Sequence, residues 1–116
     1  MIRGGAVVIN VTDVSRAVRF YIETLGMKLV EETGAASVID AGDGFRIELR
    51  SGESPGAAPG PVVRLYAKVP IEEAIAIYEN RGVAFTTEQD AGKIVSARFR
   101  DPDANQLVLV PGDTTP

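Results

Sequence analysis

Carboxylates and arginines are the side chains left to do chemistry in this sequence, because its 116 residues include no histidine and no cysteine. Without histidine the chain lacks the commonest metal ligand and the commonest general base near neutral pH. Without cysteine it lacks disulfides, thiolate nucleophiles and zinc–thiolate sites. These two absences exclude thiol chemistry and argue against an ordinary metal or acid–base site.

Three aspartates lie in turn-like sequences and raise the question of a calcium site. Asp43 belongs to AGDG at residues 41–44, and Asp101 and Asp103 belong to DPDAN at residues 101–105. Aspartate is favoured in turns because its carboxylate bonds to nearby backbone groups. The turn interpretation is preferred for all three residues.

The elements that must position any site are written twice in the chain. Residues 11–26, VTDVSRAVRFYIETLG, and residues 68–82, KVPIEEAIAIYENRG, each follow a short apolar run. Each has apolar residues at three- and four-residue spacing, which predicts an amphipathic helix, and each ends at a glycine suited to a left-handed helix stop. The pattern predicts an internal duplication.

Strand-like segments complete each copy, so that each half reads β-α-β-β-β. A half-size module of about 55 residues buries too little surface to be robust alone, so we expect the halves to act as one functional domain. The glycine- and proline-rich stretch SGESPGAAPGP predicts a linker at residues 51–61, between modules at 1–50 and 62–116. The predicted strands are residues 6–11, 27–33, 36–40 and 45–50 in the first half and 62–69, 83–88, 93–100 and 106–110 in the second.

The charge and hydrophobicity of the whole sequence indicate which kinds of partner the protein can bind. The formal net charge is −4 and the basic residues are scattered, so the chain lacks the basic stripe that nucleic-acid binding needs. No apolar run approaches the roughly 18 residues of a membrane span, and the N-terminus lacks signal-peptide features. We expect a cytoplasmic protein that binds neither nucleic acid nor membrane.

Three stretches carry a resemblance to a known family: VTDVSRAVRFYIETLGMKLV, FRIELR and RFRDPDANQLVLV. With the duplication, they resemble the vicinal oxygen chelate superfamily, the glyoxalase, bleomycin-resistance and extradiol-dioxygenase group. The resemblance implies an α+β fold of two tandem βαβββ modules, forming a curled, cup-like mixed sheet with helices on the outside. It also implies a small-molecule ligand in the cup and a homodimer.

Metal-using members of that family hold one divalent ion on four side chains, one from the first and one from the last strand of each module. Carried over to this sequence, the positions are Ala6, Glu48, Arg64 and Val108. Ala6 and Val108 offer no donor atom, and Arg64 carries a permanent positive charge. The resemblance therefore implies no family-type metal site here, and we expect no cofactor.

Glu48 and Arg64 become the central candidates, since the resemblance places both in the same cup. In one interpretation Arg64 anchors an anionic or carbonyl group while Glu48 orients Arg64 or meets an amine. In the other the two side chains simply pair with each other. Tyr66 and Asn10, on the same faces as Arg64 and Ala6, would add a phenol and an amide.

Three functions stay open. The first is a metal-independent sequestering protein resembling bleomycin-resistance proteins, and the acidic net charge would suit a cationic ligand. The second is a metal-independent lyase or isomerase with Glu48 as general base and Arg64 as oxyanion stabiliser, which needs Glu48 in an apolar pocket. The third is a degenerate, non-catalytic family member. We expect the binding function, and we do not expect a metal-dependent glyoxalase or dioxygenase.

Overall fold

The chain folds as two βαβββ modules in tandem, which confirms the expected α+β fold. The computed structural model describes residues 1–53 and 61–114, so most of the predicted linker, residues 54–60, lies outside the described residues. A short π-helical segment, Phe20–Thr24, continues the first helix. The elements are β1 (Ala6–Val11), α1 (Val14–Arg19), β2 (Lys28–Glu32), β3 (Ala36–Asp40), β4 (Arg46–Ser51), β5 (Val62–Tyr66), α2 (Ile71–Asn80), β6 (Thr86–Asp90), β7 (Lys93–Arg100) and β8 (Gln106–Val110).

Each module contributes one four-stranded mixed sheet. The strand orders are β1-β4-β3-β2 and β5-β8-β7-β6, so both sheets have the same topology. The first strand of each module pairs in parallel with the last, and the remaining pairs are antiparallel. The last strand of each module lies inside its sheet, whereas the second strand forms one edge of the sheet.

The chain divides into two compact units that nearly follow the modules. The first unit holds β1 to β4 and α1, and it also takes in the turn Pro102–Ala104 from the second half of the sequence. The second unit holds the rest of the second module. Among the described residues, no helix has the length and apolar character needed to cross a membrane.

The first helix forms as its sequence pattern indicates. Asp13 caps it, because its side chain accepts a hydrogen bond from the Arg16 backbone N–H at 3.1 Å. Ala17, Tyr21 and Leu25 recur every four residues and are buried. The π-helical turn is seen in the bond from the Leu25 N–H to the Phe20 carbonyl at 3.0 Å. The helical stretch ends at Gly26, whose φ of 82° is left-handed, as predicted.

The core of the first unit lies between α1 and one face of its sheet. The helix packs against β3 and β4. Alternate residues of the strands point to this side, and the list of buried strand side chains is Ile9, Val11, Ser37, Ile39, Ile47 and Leu49.

The second unit repeats this plan with α2 packed on β7. The helix begins after Pro70 and buries Ile71, Ala74 and Ile75. The list of buried strand residues on this side of the sheet is Val63, Ala97, Phe99, Leu107 and Leu109.

Two predicted strands of the second module have wrong bounds. The prediction 62–69 is too long, because β5 ends at Tyr66 and the chain then turns into the proline that precedes α2. The prediction 83–88 starts too early, since the Val83 N–H still bonds to the Tyr78 carbonyl at 3.0 Å as part of the helix exit. By contrast, the strands predicted at 6–11, 36–40, 93–100 and 106–110 are confirmed at both ends.

Candidate functional site

Each sheet has a helix-free face, formed by the residues that alternate with the buried core positions. On this face of the first sheet, in-register residues of neighbouring strands lie side by side in rows. The second sheet has an equivalent face. The helix-free face of the first sheet includes Ala6, Val8, Asn10, Arg46, Glu48 and Arg50; that of the second includes Val62, Arg64, Tyr66, Gln106, Val108 and Arg98.

Glu48 sits in the middle of the first helix-free face, on the central strand β4. Its in-register neighbours are Val8 on β1 and Val38 on β3. Its Oε2 accepts a hydrogen bond from Arg50 Nε at 2.6 Å, and the Glu48 side chain is 26% exposed. Residues i and i+2 of a strand share a face, so this charge-assisted pair is local to β4. Glu48 therefore has one oxygen already engaged by its own strand.

Arg50 is a partner that the sequence interpretation did not assign to Glu48. The sequence offers Arg64 as a possible partner for this carboxylate, and that pairing stays a prediction. The structure shows an ion pair between Glu48 and Arg50. Glu48 and Arg50 are two residues apart on a predicted strand, and this spacing alone indicates that their side chains share a face.

The two β1 candidates lie on the same face as Glu48 but not opposite it. Ala6 is in register with Arg46, and Asn10 is in register with Arg50. The residue opposite Glu48 is Val8, which is 54% exposed. The side chains of Ala6 and Val8 both lack a donor atom. Neither residue could therefore bind a metal ion or a polar ligand group beside Glu48 through its side chain.

The candidates of the second unit form a different row. Arg64 on β5 is in register with Val108 on β8, and Val108 is in register with Arg98 on β7. Both arginines are exposed, whereas Val108 is only 9% exposed. Tyr66 lies one pair further along β5, opposite Val110, and is 46% exposed. The structure thus brings Arg64, Tyr66 and Val108 onto one face.

Arg98 lies in the same row as Arg64 because β7 pairs with β8, a pairing that the sequence pattern does not determine. Ala6, Asn10 and Glu48 belong to the first unit, and Arg64, Tyr66 and Val108 to the second. A cup shared by Glu48 and Arg64 stays a prediction.

The donor set at the four family positions does not fit a divalent cation. One carboxylate, one guanidinium and two aliphatic side chains stand there, and a cation needs several oxygen or nitrogen donors. In residues 1–53 and 61–114, no group of three or more histidine, cysteine, aspartate or glutamate side chains is placed to hold a metal ion.

Two of the turn aspartates have structural partners. Asp101 accepts hydrogen bonds from the Asn105 backbone N–H and from Asn105 Nδ2, both at 2.9 Å, which is the local turn role that was predicted. Asp103 departs from that expectation. It bonds to Thr12, 91 residues away in the sequence.

Comparisons with known proteins agree with this architecture. A search of curated proteins finds no match. Among solved structures, a superfamily member from Sphaerobacter thermophilus is 25% identical with a TM-score of 0.73, and 96% of this chain and 98% of that one are covered. The trypanothione-dependent glyoxalase I of Leishmania major is 21% identical with a TM-score of 0.79, over 97% of this chain and 88% of that one. A fosfomycin resistance protein of Mesorhizobium loti is 17% identical with a TM-score of 0.74, over 98% and 94%.

The family model described as the Glyoxalase/Bleomycin resistance protein/Dioxygenase superfamily matches residues 4–109, which is most of the sequence. Because that match spans both βαβββ modules, the chain belongs to the glyoxalase/bleomycin resistance protein/dioxygenase superfamily.

Proposed function

We propose that this protein binds a small organic molecule without a metal ion and sequesters it. The observation that carries the proposal is the set of side chains at the family's metal positions, where Glu48 is the only residue with a suitable donor. Arg64 brings a guanidinium to that set, and it is exposed on a helix-free face. A guanidinium binds oxygen atoms of a ligand and repels a metal ion.

The state of Glu48 supports binding over catalysis. A general base needs a carboxylate that is free to take a proton in a water-poor pocket. Glu48 instead accepts the Arg50 bond and keeps about a quarter of its side chain in solvent. We therefore place the lyase or isomerase second, with Glu48 as general base and Arg64 as oxyanion stabiliser, and a degenerate member third.

Assembly as a homodimer is part of the proposal. Val8 on β1 and Val62 and Tyr66 on β5 are exposed apolar or aromatic side chains, and both strands are edges of their sheets. Exposed apolar residues on an edge strand are typical of a surface that another chain covers. The mass measured by light scattering after size-exclusion chromatography tests this part.

A ligand screen with metal controls tests the proposed function. Melting temperature would be measured against a panel of small acids, amines and natural products, each with and without EDTA. We expect a stabilising compound whose effect is unchanged by EDTA. A stoichiometric metal ion bound at Glu48, or stabilisation abolished by EDTA, would overturn the proposal. Loss of turnover in Glu48→Gln with ligand binding intact would instead support the lyase or isomerase.

A further inference from the structure

Arg64 and Arg98 flank one buried valine on the helix-free face of the second sheet. Both are in register with Val108, so the three residues form one row across β5, β8 and β7. Adjacent strands are about 4.8 Å apart, which puts the two arginine Cα atoms roughly 10 Å apart. An arginine side chain is longer than half that separation. Both guanidinium groups can therefore reach a single group held above Val108.

Unlike Arg16 and Arg50, Arg64 and Arg98 have no carboxylate partner among the described residues. Arg50 pairs with Glu48 at 2.6 Å, and Arg16 pairs with Asp103 at 3.3 Å. Within the described ranges, neither Arg64 nor Arg98 forms an ion pair. The chain has 16 acidic residues against 12 basic ones, so carboxylates are not scarce. The donors of both guanidinium groups are therefore available to an anionic ligand.

The surroundings of the row suggest what the rest of the ligand is like. Thr86 on β6 lies opposite Arg98 and offers a hydroxyl, while Val108 forms an apolar floor. Tyr66 exposes 46% of its surface one pair along from Arg64. An aromatic ring beside a cationic pair suits a molecule with one oxyanion and a flat apolar body.

We propose that Arg64 and Arg98 form a two-arginine clamp for the carboxylate or phosphate group of a small organic anion with an apolar or aromatic body. This inference rests on the proposed binding function and names its ligand class. The proposed ligand is anionic, whereas the acidic net charge of the protein suggests a cationic one. The two arginines decide the sign of the ligand, because salt screens the charges that lie farther from it.

Matched aromatic probes test the clamp. Amide and arginine Nε–H shifts of the isotope-labelled protein would be followed by NMR during titration with benzoate, phenyl phosphate, benzamide and benzylamine. We expect the two anions to shift the Arg64 and Arg98 Nε–H signals and the β5, β7 and β8 amides, with affinity that falls as salt is added. Benzamide has the same ring without the charge and should bind about tenfold more weakly or worse.

Three charge-matched variants separate the clamp from general electrostatics. Arg64→Gln and Arg98→Gln should each weaken benzoate binding by about tenfold, since each removes a charged hydrogen-bond donor. Arg19→Gln changes the net charge equally at an exposed position on α1, and it should bind like the parent protein. Equal weakening in all three variants would overturn the clamp.

The outcomes also separate the clamp from the proposed function. If benzylamine or benzamide binds while the anions do not, the clamp is wrong and small-molecule binding stands. If the anions bind but the shifts map away from Arg64 and Arg98, the clamp is again wrong. If no probe shifts any signal at millimolar concentration while an unrelated compound from the melting screen stabilises the protein, only the clamp fails.

Discussion

The Asp103 carboxylate is hydrogen-bonded to Thr12, and this contact ties the DPD turn to the start of the first helix. Asp103 Oδ1 accepts from the Thr12 backbone N–H at 3.1 Å and from Thr12 Oγ1 at 2.7 Å. Arg16 adds an ion pair to the same oxygen at 3.3 Å. Thr12 directly precedes the helix cap Asp13, so a turn from the second half of the sequence contacts the chain just before α1 begins.

Removing the Asp103 carboxylate should destabilise the fold. Asp103 is 4% exposed, and Asp103→Ala leaves the Thr12 groups without their acceptor. We expect a loss of about 1–3 kcal/mol in the free energy of unfolding measured with urea. Asp103→Asn should cost less, because it keeps an acceptor oxygen and loses mainly a pair to Arg16, which is 45% exposed.

The matched control for Asp103 is Asp113→Ala, an exposed aspartate near the C-terminal end of the described residues. It should change the free energy of unfolding by less than about 0.5 kcal/mol. A loss in Asp113→Ala equal to that in Asp103→Ala would show that the contact with Thr12 is not the cause.

Most of the fold was predictable because it depends on local patterns. Apolar alternation located β1, β3, β7 and β8 at both ends, and the glycine stops located the ends of both helical segments. The errors at β5 and β6 arose where apolar residues serve a turn or a helix exit, a use that alternation cannot distinguish from a strand.

The site was predictable only in part. The positions of Glu48 and Arg64 on helix-free faces each follow from alternation along the residue's own strand. The Glu48 to Val8 register and the row that joins Arg64 to Arg98 depend on pairing between strands distant in sequence. A contact such as Thr12 with Asp103 likewise has no local signal. Sequence patterns therefore assign faces but not the partners across a sheet.

Ser37 offers a test of a buried polar group. Its side chain is fully buried on the helix side of β3, and in the described part of the chain its Oγ has no hydrogen-bond partner. A hydroxyl without a partner is costly to bury. Ser37→Ala should therefore leave the free energy of unfolding unchanged or raise it by about 1 kcal/mol. The exposed Ser51→Ala is the control, and a loss of stability in Ser37→Ala alone would reveal a hidden partner for Oγ.

Burial of Tyr78 makes the stability of the fold vary with pH in the alkaline range. Burial raises the pKa of the Tyr78 phenol above its ordinary value of 10.0, although nearby Arg81 partly opposes this. The folded protein therefore holds the phenol proton at a pH where the unfolded chain has lost it. This contribution to stability is complete below pH 10 and declines as pH rises from about 10 towards the folded-state pKa.

Tyr78→Phe removes that titration and tests the sign. The slope of unfolding free energy against pH above pH 10 should be shallower in Tyr78→Phe than in the parent protein. Tyr66→Phe, which removes a phenol from an exposed position, is the matched control. Equal slopes for the parent and Tyr78→Phe would contradict the prediction.

Gly112 is required by a close approach to the end of β5. A Cβ atom added at Gly112 would collide with the backbone carbonyl oxygen of Ala67. This segment is held in place by the bond from the Ala67 N–H to the Val110 carbonyl at 2.8 Å, so the carbonyl cannot move away without straining the β5 to β8 pairing. Gly112→Ala should cost about 1–3 kcal/mol of unfolding free energy. Gly34→Ala is matched, since a Cβ there meets nothing within 4 Å. If both variants unfold at the same urea concentration, the close approach of Gly112 to the Ala67 carbonyl does not limit stability.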